Sequence, residues 1–260
     1  YITKEGEVLS SSVLEKISKS NDSQSGYAAP DYDVIDGKVF NGPVSSSEFM
    51  TKAGFIRAFT INMILVSFFA AVGWKFHQLA IVALFISIPL VLVGAFAPKT
   101  TRIVGPLYAI TQGLVVGAVS KFYEASYDGI VIQAMVLTIT ILTVVTYLHQ
   151  SGIIKVTDKF IRIIMFATMG IAVFYMANFI MSMFGGNMPL IWDSGLLGIG
   201  FSVVVTLLAV SNFLVDLELV DRSAKNNAPK YFESALAFGM TVSVVWVYLE
   251  ILRLLSKIRN

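Results

Sequence analysis

Seven apolar runs separated by short polar connections organise the chain from residue 54 onward. They extend from Gly54 to Phe76, Leu79 to Ala97, Ile103 to Phe122, Gly129 to His149, Phe160 to Phe184, Gly195 to Val220 and Tyr231 to Leu255. A bilayer core needs about 20 residues of helix to cross it, because lipid offers no partner to backbone amides and carbonyls. Each run meets that length, so the pattern predicts seven transmembrane helices. The connections carry Pro98, Lys99, Gly152, Lys155, Gly185 and Gly186, residues that stop helices or favour water. Pro89 predicts a kink in the second span and Pro106 the start of the third. Gly113 and Gly117 stand four residues apart in the third span, a spacing that lets two helix backbones approach closely.

The first 52 residues follow another pattern, with Ser10, Ser11, Ser12, Ser18, Ser20, Ser23 and Ser25 among mixed charges and no long apolar run. Residues 1–52 therefore read as a polar, flexible tail, and residues 53–260 as the transmembrane domain. The tail lacks the basic start and short apolar core of a signal peptide, so the first span is expected to be retained.

Composition agrees with the pattern. The 260 residues are 56% hydrophobic and 14% charged, with a mean hydropathy of +0.75; soluble domains carry about a quarter charged residues. The net charge is +2 and the basic residues sit at span ends, so nothing points to nucleic acid. Cysteine is absent, which removes disulfides and thiol chemistry.

Basic residues favour the cytoplasmic side of a membrane. Lys52, Arg57, Lys99, Arg102, Lys155, Lys159, Arg162, Arg222, Lys225 and Lys230 flank alternate connections, whereas the others hold only Lys75 and Lys121. This bias places the N-terminus in the cytoplasm. Seven full spans then put Arg253, Lys257 and Arg259 on the far side, against the rule. Either the last segment is short or re-entrant, or packing overrides the charge bias.

An acid in mid-bilayer costs about 2.5–3.5 kcal/mol on insertion scales, which makes every such residue a functional candidate. Asp216 in SNFLVDLELV and Glu250 in VVWVYLEILRLL stand out. Asn212 lies one turn before Asp216, while Trp246 and Arg253 flank Glu250 at helical spacing. The plainer reading makes Asp216 an acid at the water boundary with Glu218 and Asp221, and Glu250 a charge neutralised by Arg253. If the two acids meet inside the bundle, repulsion and desolvation make them share a proton around neutral pH. Glu233 reads as an acid favoured by the start of its helix, and Arg102 as an anchor to headgroups. His77 and His149 are at span ends, too distant for a shared metal site, and Gln112 and Asn178 suit interhelical hydrogen bonds.

The segments YAITQGLVVGAVSKFYEA, YDGIVIQAMVLT, HQSGIIKVTDKF and DLELVDRSAKNNAPKYFESALAFGMTVSVVWVYLEILRLLSKI occur in an order that resembles the Bax inhibitor-1 family in its bacterial branch, over about residues 50–260. The resemblance implies an all-α bundle of seven transmembrane helices with the last helix central, and a pH-sensitive calcium leak channel. It implies a pH-sensing carboxylate pair between the sixth and seventh helices, matched to Asp216 and Glu250, which would also meet the calcium ion. Arg102 is the nearest match to a basic residue that bridges such acids in some relatives, with Asn212, Glu233 and Arg253 as supporting residues. Glu250 stands where relatives carry aspartate, the connection between the acids is longer, and Gln112 replaces a glutamate of many bacterial relatives.

The expected partners are the lipid bilayer, calcium ions and protons, with no cofactor, an unknown set of protein partners and a monomeric bundle in a bacterial inner membrane. A proton-coupled cation exchanger and a scaffold for other membrane proteins are the competing functions. An intramembrane enzyme is not expected: there is no GxGD or GxSG segment. Lys257 lies beyond the apolar core of the last span, which excludes a retinal Schiff base.

Overall fold

The computed structural model describes residues 34–35, 38–39, 49–186 and 194–260, in two units divided after Glu48. The expected flexible tail lies for the most part outside the described residues. Within the first unit, β1 (Val34–Ile35) and β2 (Lys38–Val39) pair antiparallel, with Val34 opposite Val39.

The second unit holds seven helices long and apolar enough to cross a membrane. They are α1 (Lys52–Lys75), α2 (Leu79–Phe96), α3 (Thr101–Ser126), α4 (Ile130–Gln150), α5 (Asp158–Met183), α6 (Leu196–Lys225) and α7 (Phe232–Arg259). The protein is an integral, multi-pass membrane protein in contact with the lipid bilayer. The bundle starts earlier than residue 53: Met50 is buried and donates its backbone N–H to the Ala228 carbonyl at 2.7 Å, and Phe49 bridges to Pro229.

Local chemistry sets the helix ends. The Thr51 hydroxyl accepts from Gly54 N at 3.0 Å to cap α1, and Thr157 accepts from Phe160 N at 3.2 Å to cap α5. Glu124, near the end of α3, accepts from Gly129 N and Val131 N and so caps α4 across the turn. Gly152 and Gly185 follow α4 and α5 with φ of +73° and +81°, a backbone that favours glycine. Pro106 is not a helix start: α3 begins five residues earlier, at Thr101, after a single 3-10 turn over Pro98–Thr100.

The last helix is central, packing directly against α1, α3, α4 and α6, while α2 leans on α3 and α5 on α6. Lipid gives apolar side chains no reason to turn inward, so contact depends on shape. Gly113 and Gly117 provide it: a Cβ at Gly113 would lie 2.7 Å from the Val66 carbonyl oxygen, and one at Gly117 would strike the Ala70 carbonyl. From the other side Gly73 fits against the backbone of Leu114. The glycine spacing read from sequence is thus the α1–α3 seam. Phe68, Phe96, Phe166 and Leu196 face outward, as lipid contact requires.

The starts of α1, α3, α5 and α7 share one end of the bundle. Lys52 meets Asp221 at 2.5 Å, and the Thr101 and Ser234 hydroxyls are 3.1 Å apart. At the other end α7 is a full span, neither short nor re-entrant. Arg259 donates to the Asp128 carbonyl and to Gln133, Lys257 to the Gly198 carbonyl, and Asn260 to Ser194. The C-terminal cations Lys257 and Arg259 are thus engaged by backbone carbonyls of neighbouring segments.

Candidate functional site

Asp216 lies nine residues before the end of α6, a rise of roughly 14 Å from that end. Its Oδ2 accepts a hydrogen bond from the Ser243 hydroxyl of α7 at 2.5 Å. Its Oδ1 faces Gly239, one turn earlier on α7. The neighbours Phe213, Leu214 and Val215 are buried apolar residues, and no ion pair reaches Asp216 among the described residues. Asn212 turns away from it, donating to Thr168 of α5 at 2.6 Å and to the Leu208 carbonyl at 3.0 Å.

The boundary acids that follow are engaged elsewhere. Glu218 takes His149 Nε2 at 2.9 Å and Arg222 Nε at 2.7 Å, and Arg222 also binds Asp158 and the Val156 carbonyl. These contacts knit the ends of α4, α5 and α6 together. Asp216, two residues before Glu218 on α6, takes no part in them.

Glu250 is in a different environment. It is 1% exposed. Its Oε1 accepts from Arg253 Nη1 at 2.9 Å, Tyr175 Oη at 2.9 Å and Trp246 Nε1 at 3.1 Å, and Oε2 accepts from Arg253 at 3.1 Å. Arg253 also donates to Tyr175 Oη at 2.6 Å and lies over that ring, 5.1 Å from its centroid. The cluster ties α5 to α7 and meets the carboxylate's charge with a cation and two neutral donors.

The two acids expected to share a proton are therefore not joined. Ser243 and Glu250 are seven residues apart on α7, a rise of roughly 10 Å, and the carboxylates hold separate partners. The residue that α7 sets opposite Asp216 is Ser243. Arg102 bridges neither acid; it stands exposed at the bundle end where α3 begins. Glu233 accepts from Thr51 N at 2.8 Å, Thr51 Oγ1 at 2.7 Å and Lys230 at 2.9 Å, closing the start of α7 onto the cap of α1. Gly54 makes room for that carboxylate, since a Cβ there would overlap it.

Among the described residues no group of three or more His, Asp or Glu side chains is placed to hold a metal. His77 contacts Lys121 at 3.1 Å and His149 contacts Glu218, at opposite ends of the bundle.

The sequence model of the family described as Bax inhibitor 1 like matches residues 7–260. The chain belongs to that family. Searches of curated proteins and of solved structures returned no match. In this chain the last helix is central and packs against the sixth, with Asp216 and Ser243 at their contact. A Bax inhibitor 1 like protein with a serine opposite its sixth-helix acid holds one titratable group at the contact.

Sequence reasoning passed over Ser243 and Tyr175. A serine in an apolar run gives no signal, because its hydroxyl usually bonds to its own helix, as Thr138 and Thr206 do here. Tyr175 lies 75 residues from Glu250, and only the fold brings them together. The buried Asn62–Thr241 contact at 3.3 Å, between α1 and α7, escaped notice for the same reason.

Proposed function

We propose that this Bax inhibitor 1 like protein is a pH-sensitive cation leak channel, not an enzyme, gated at the contact between Asp216 of α6 and Ser243 of α7. Calcium is the permeant ion that family membership suggests. The observation that carries the reading is the Asp216–Ser243 hydrogen bond inside the span, with no ion pair to the carboxyl among the described residues. With its proton on, Asp216 is a neutral group that one hydroxyl and a dry contact satisfy. Without it, a full charge is left with a single donor among apolar neighbours, which is costly. Any arrangement that admits water or a cation relieves that cost, so ionisation shifts the population toward an open α6–α7 contact. Carboxylate oxygens suit a hard divalent cation such as calcium. Glu250 is the fixed part of this mechanism, since Arg253 and Tyr175 hold it whatever happens at Asp216.

Calcium entry into liposomes loaded with a calcium-sensitive dye tests the proposal, measured over about pH 5.5 to 8. Wild-type flux is expected to rise with pH, and Asp216→Asn to remove the pH dependence. A normal pH response in Asp216→Asn would sink the gate. Flux that saturates and exchanges stoichiometrically with protons would indicate an exchanger instead.

A further inference from the structure

A cleft of about 740 Å³ opens at the end of the bundle where α1, α3 and α7 begin. Arg57, Lys99, Arg102 and Lys230 line it, with Glu233 the single acid. Glu233 is buried and already bound to Thr51 and to Lys230. Lys99 lies near the Tyr231 ring, 5.8 Å from its centroid. Arg57 and Arg102 are exposed and form no ion pair among the described residues. Such a charge repels calcium, so the cleft is distinct from the gate at Asp216.

The lining changes character with depth. Ile61 follows Arg57 by four residues on α1, and Pro106 follows Arg102 by four on α3. Each arginine thus stands one helical turn, roughly 6 Å, above an apolar residue on the same face of its helix. The cations lie toward the water and the apolar surface toward the bilayer interior. A soluble anion would use only the upper part; a lipid with a charged headgroup would use both.

We propose that the cleft binds a phosphate group carried by one anionic phospholipid, held by the Arg57 and Arg102 guanidinium groups with Lys99 and Lys230 beside them. Guanidinium forks match phosphate oxygens and keep their charge at any physiological pH. The glycerol and first acyl carbons then lie over Ile61 and Pro106. The bound lipid joins α1 and α3 at their starts, beside the Glu233 clasp that ties α7 to α1.

Native mass spectrometry of the full chain in detergent, titrated with phosphatidylglycerol or phosphatidylcholine, tests this. Wild type is expected to retain one phosphatidylglycerol with a preference of roughly tenfold or more over phosphatidylcholine. The double variant Arg57→Gln, Arg102→Gln should lose the preference. Arg57→Lys with Arg102→Lys should keep part of it, and Lys225→Gln, at the same end but outside the cleft, should keep all of it. Equal retention of the two lipids by wild type would overturn the proposal whether or not any variant folds. Undiminished preference in the glutamine double variant would overturn it too. Displacement of the lipid by millimolar inorganic phosphate would reassign the cleft to a soluble anion.

Discussion

Asp216 on α6 receives a single hydroxyl, whereas Glu250 on α7 receives an arginine, a tyrosine and an indole. Both are acids in apolar runs, and insertion cost alone ranks them together as candidates. What separates them is the partner set. A buried carboxylate with a cation and several donors is held in one place, and taking one partner away leaves an uncompensated charge. A carboxyl with one neutral donor has two protonation states that demand different surroundings. The first kind holds helices in place; the second can move them. Asp216 lies nine residues from the α6 terminus at one end of the bundle, and Glu250 nine residues from the α7 terminus at the other.

The largest effect expected from this contrast is on stability at Glu250. Glu250→Ala strands Arg253 and the Tyr175 hydroxyl, and should cost about 3–5 kcal/mol, read as a lowered melting temperature in detergent. An unchanged melting temperature would erase the distinction between the sites. Tyr175→Phe removes one donor from the same cluster and should cost about 1–3 kcal/mol, with the pH response of flux intact; a shifted pH response would join Glu250 to the gate. The smallest stability change, about 1 kcal/mol, is expected from Ser243→Ala. That substitution should nevertheless move the pH midpoint of flux, because it removes the only side-chain donor to Asp216 among the described residues. A midpoint equal to that of wild type would show that the latch does not set the gate.

The fold was legible because its signals are local. Seven long apolar runs, Gly113 and Gly117 one turn apart, and glycines after α4 and α5 each act within one helix or turn. The pairing of Glu250 with Arg253 was legible too, at three residues' spacing. Tyr175 was not, since its role depends on how α5 leans on the bundle, and neither was Ser243, whose hydroxyl matters only because α6 brings an acid to it. Matching the sixth- and seventh-helix acids by motif joined Asp216 to Glu250, while the register of α7 puts them about two turns apart. The basic cleft escaped notice for a related reason: its cations come from three helix starts far apart in sequence, each of which alone resembles an ordinary boundary charge. The C-terminal cations Lys257 and Arg259 run against the charge bias, and their partners Gly198, Asp128 and Gln133 belong to other helices or the turns before them, which no local pattern reveals.

The central claim of the proposal is that Asp216 is the gate, its carboxyl being the one whose protonation follows the response to pH. Infrared difference spectroscopy of the protein in lipid, stepped between acid and mildly alkaline pH, reads this directly through the carbonyl stretch of a protonated carboxyl group. The account predicts a pH-dependent carboxyl band in wild type that is absent in Asp216→Asn and retained in Glu250→Gln. A band that survives Asp216→Asn and disappears in Glu250→Gln would contradict it.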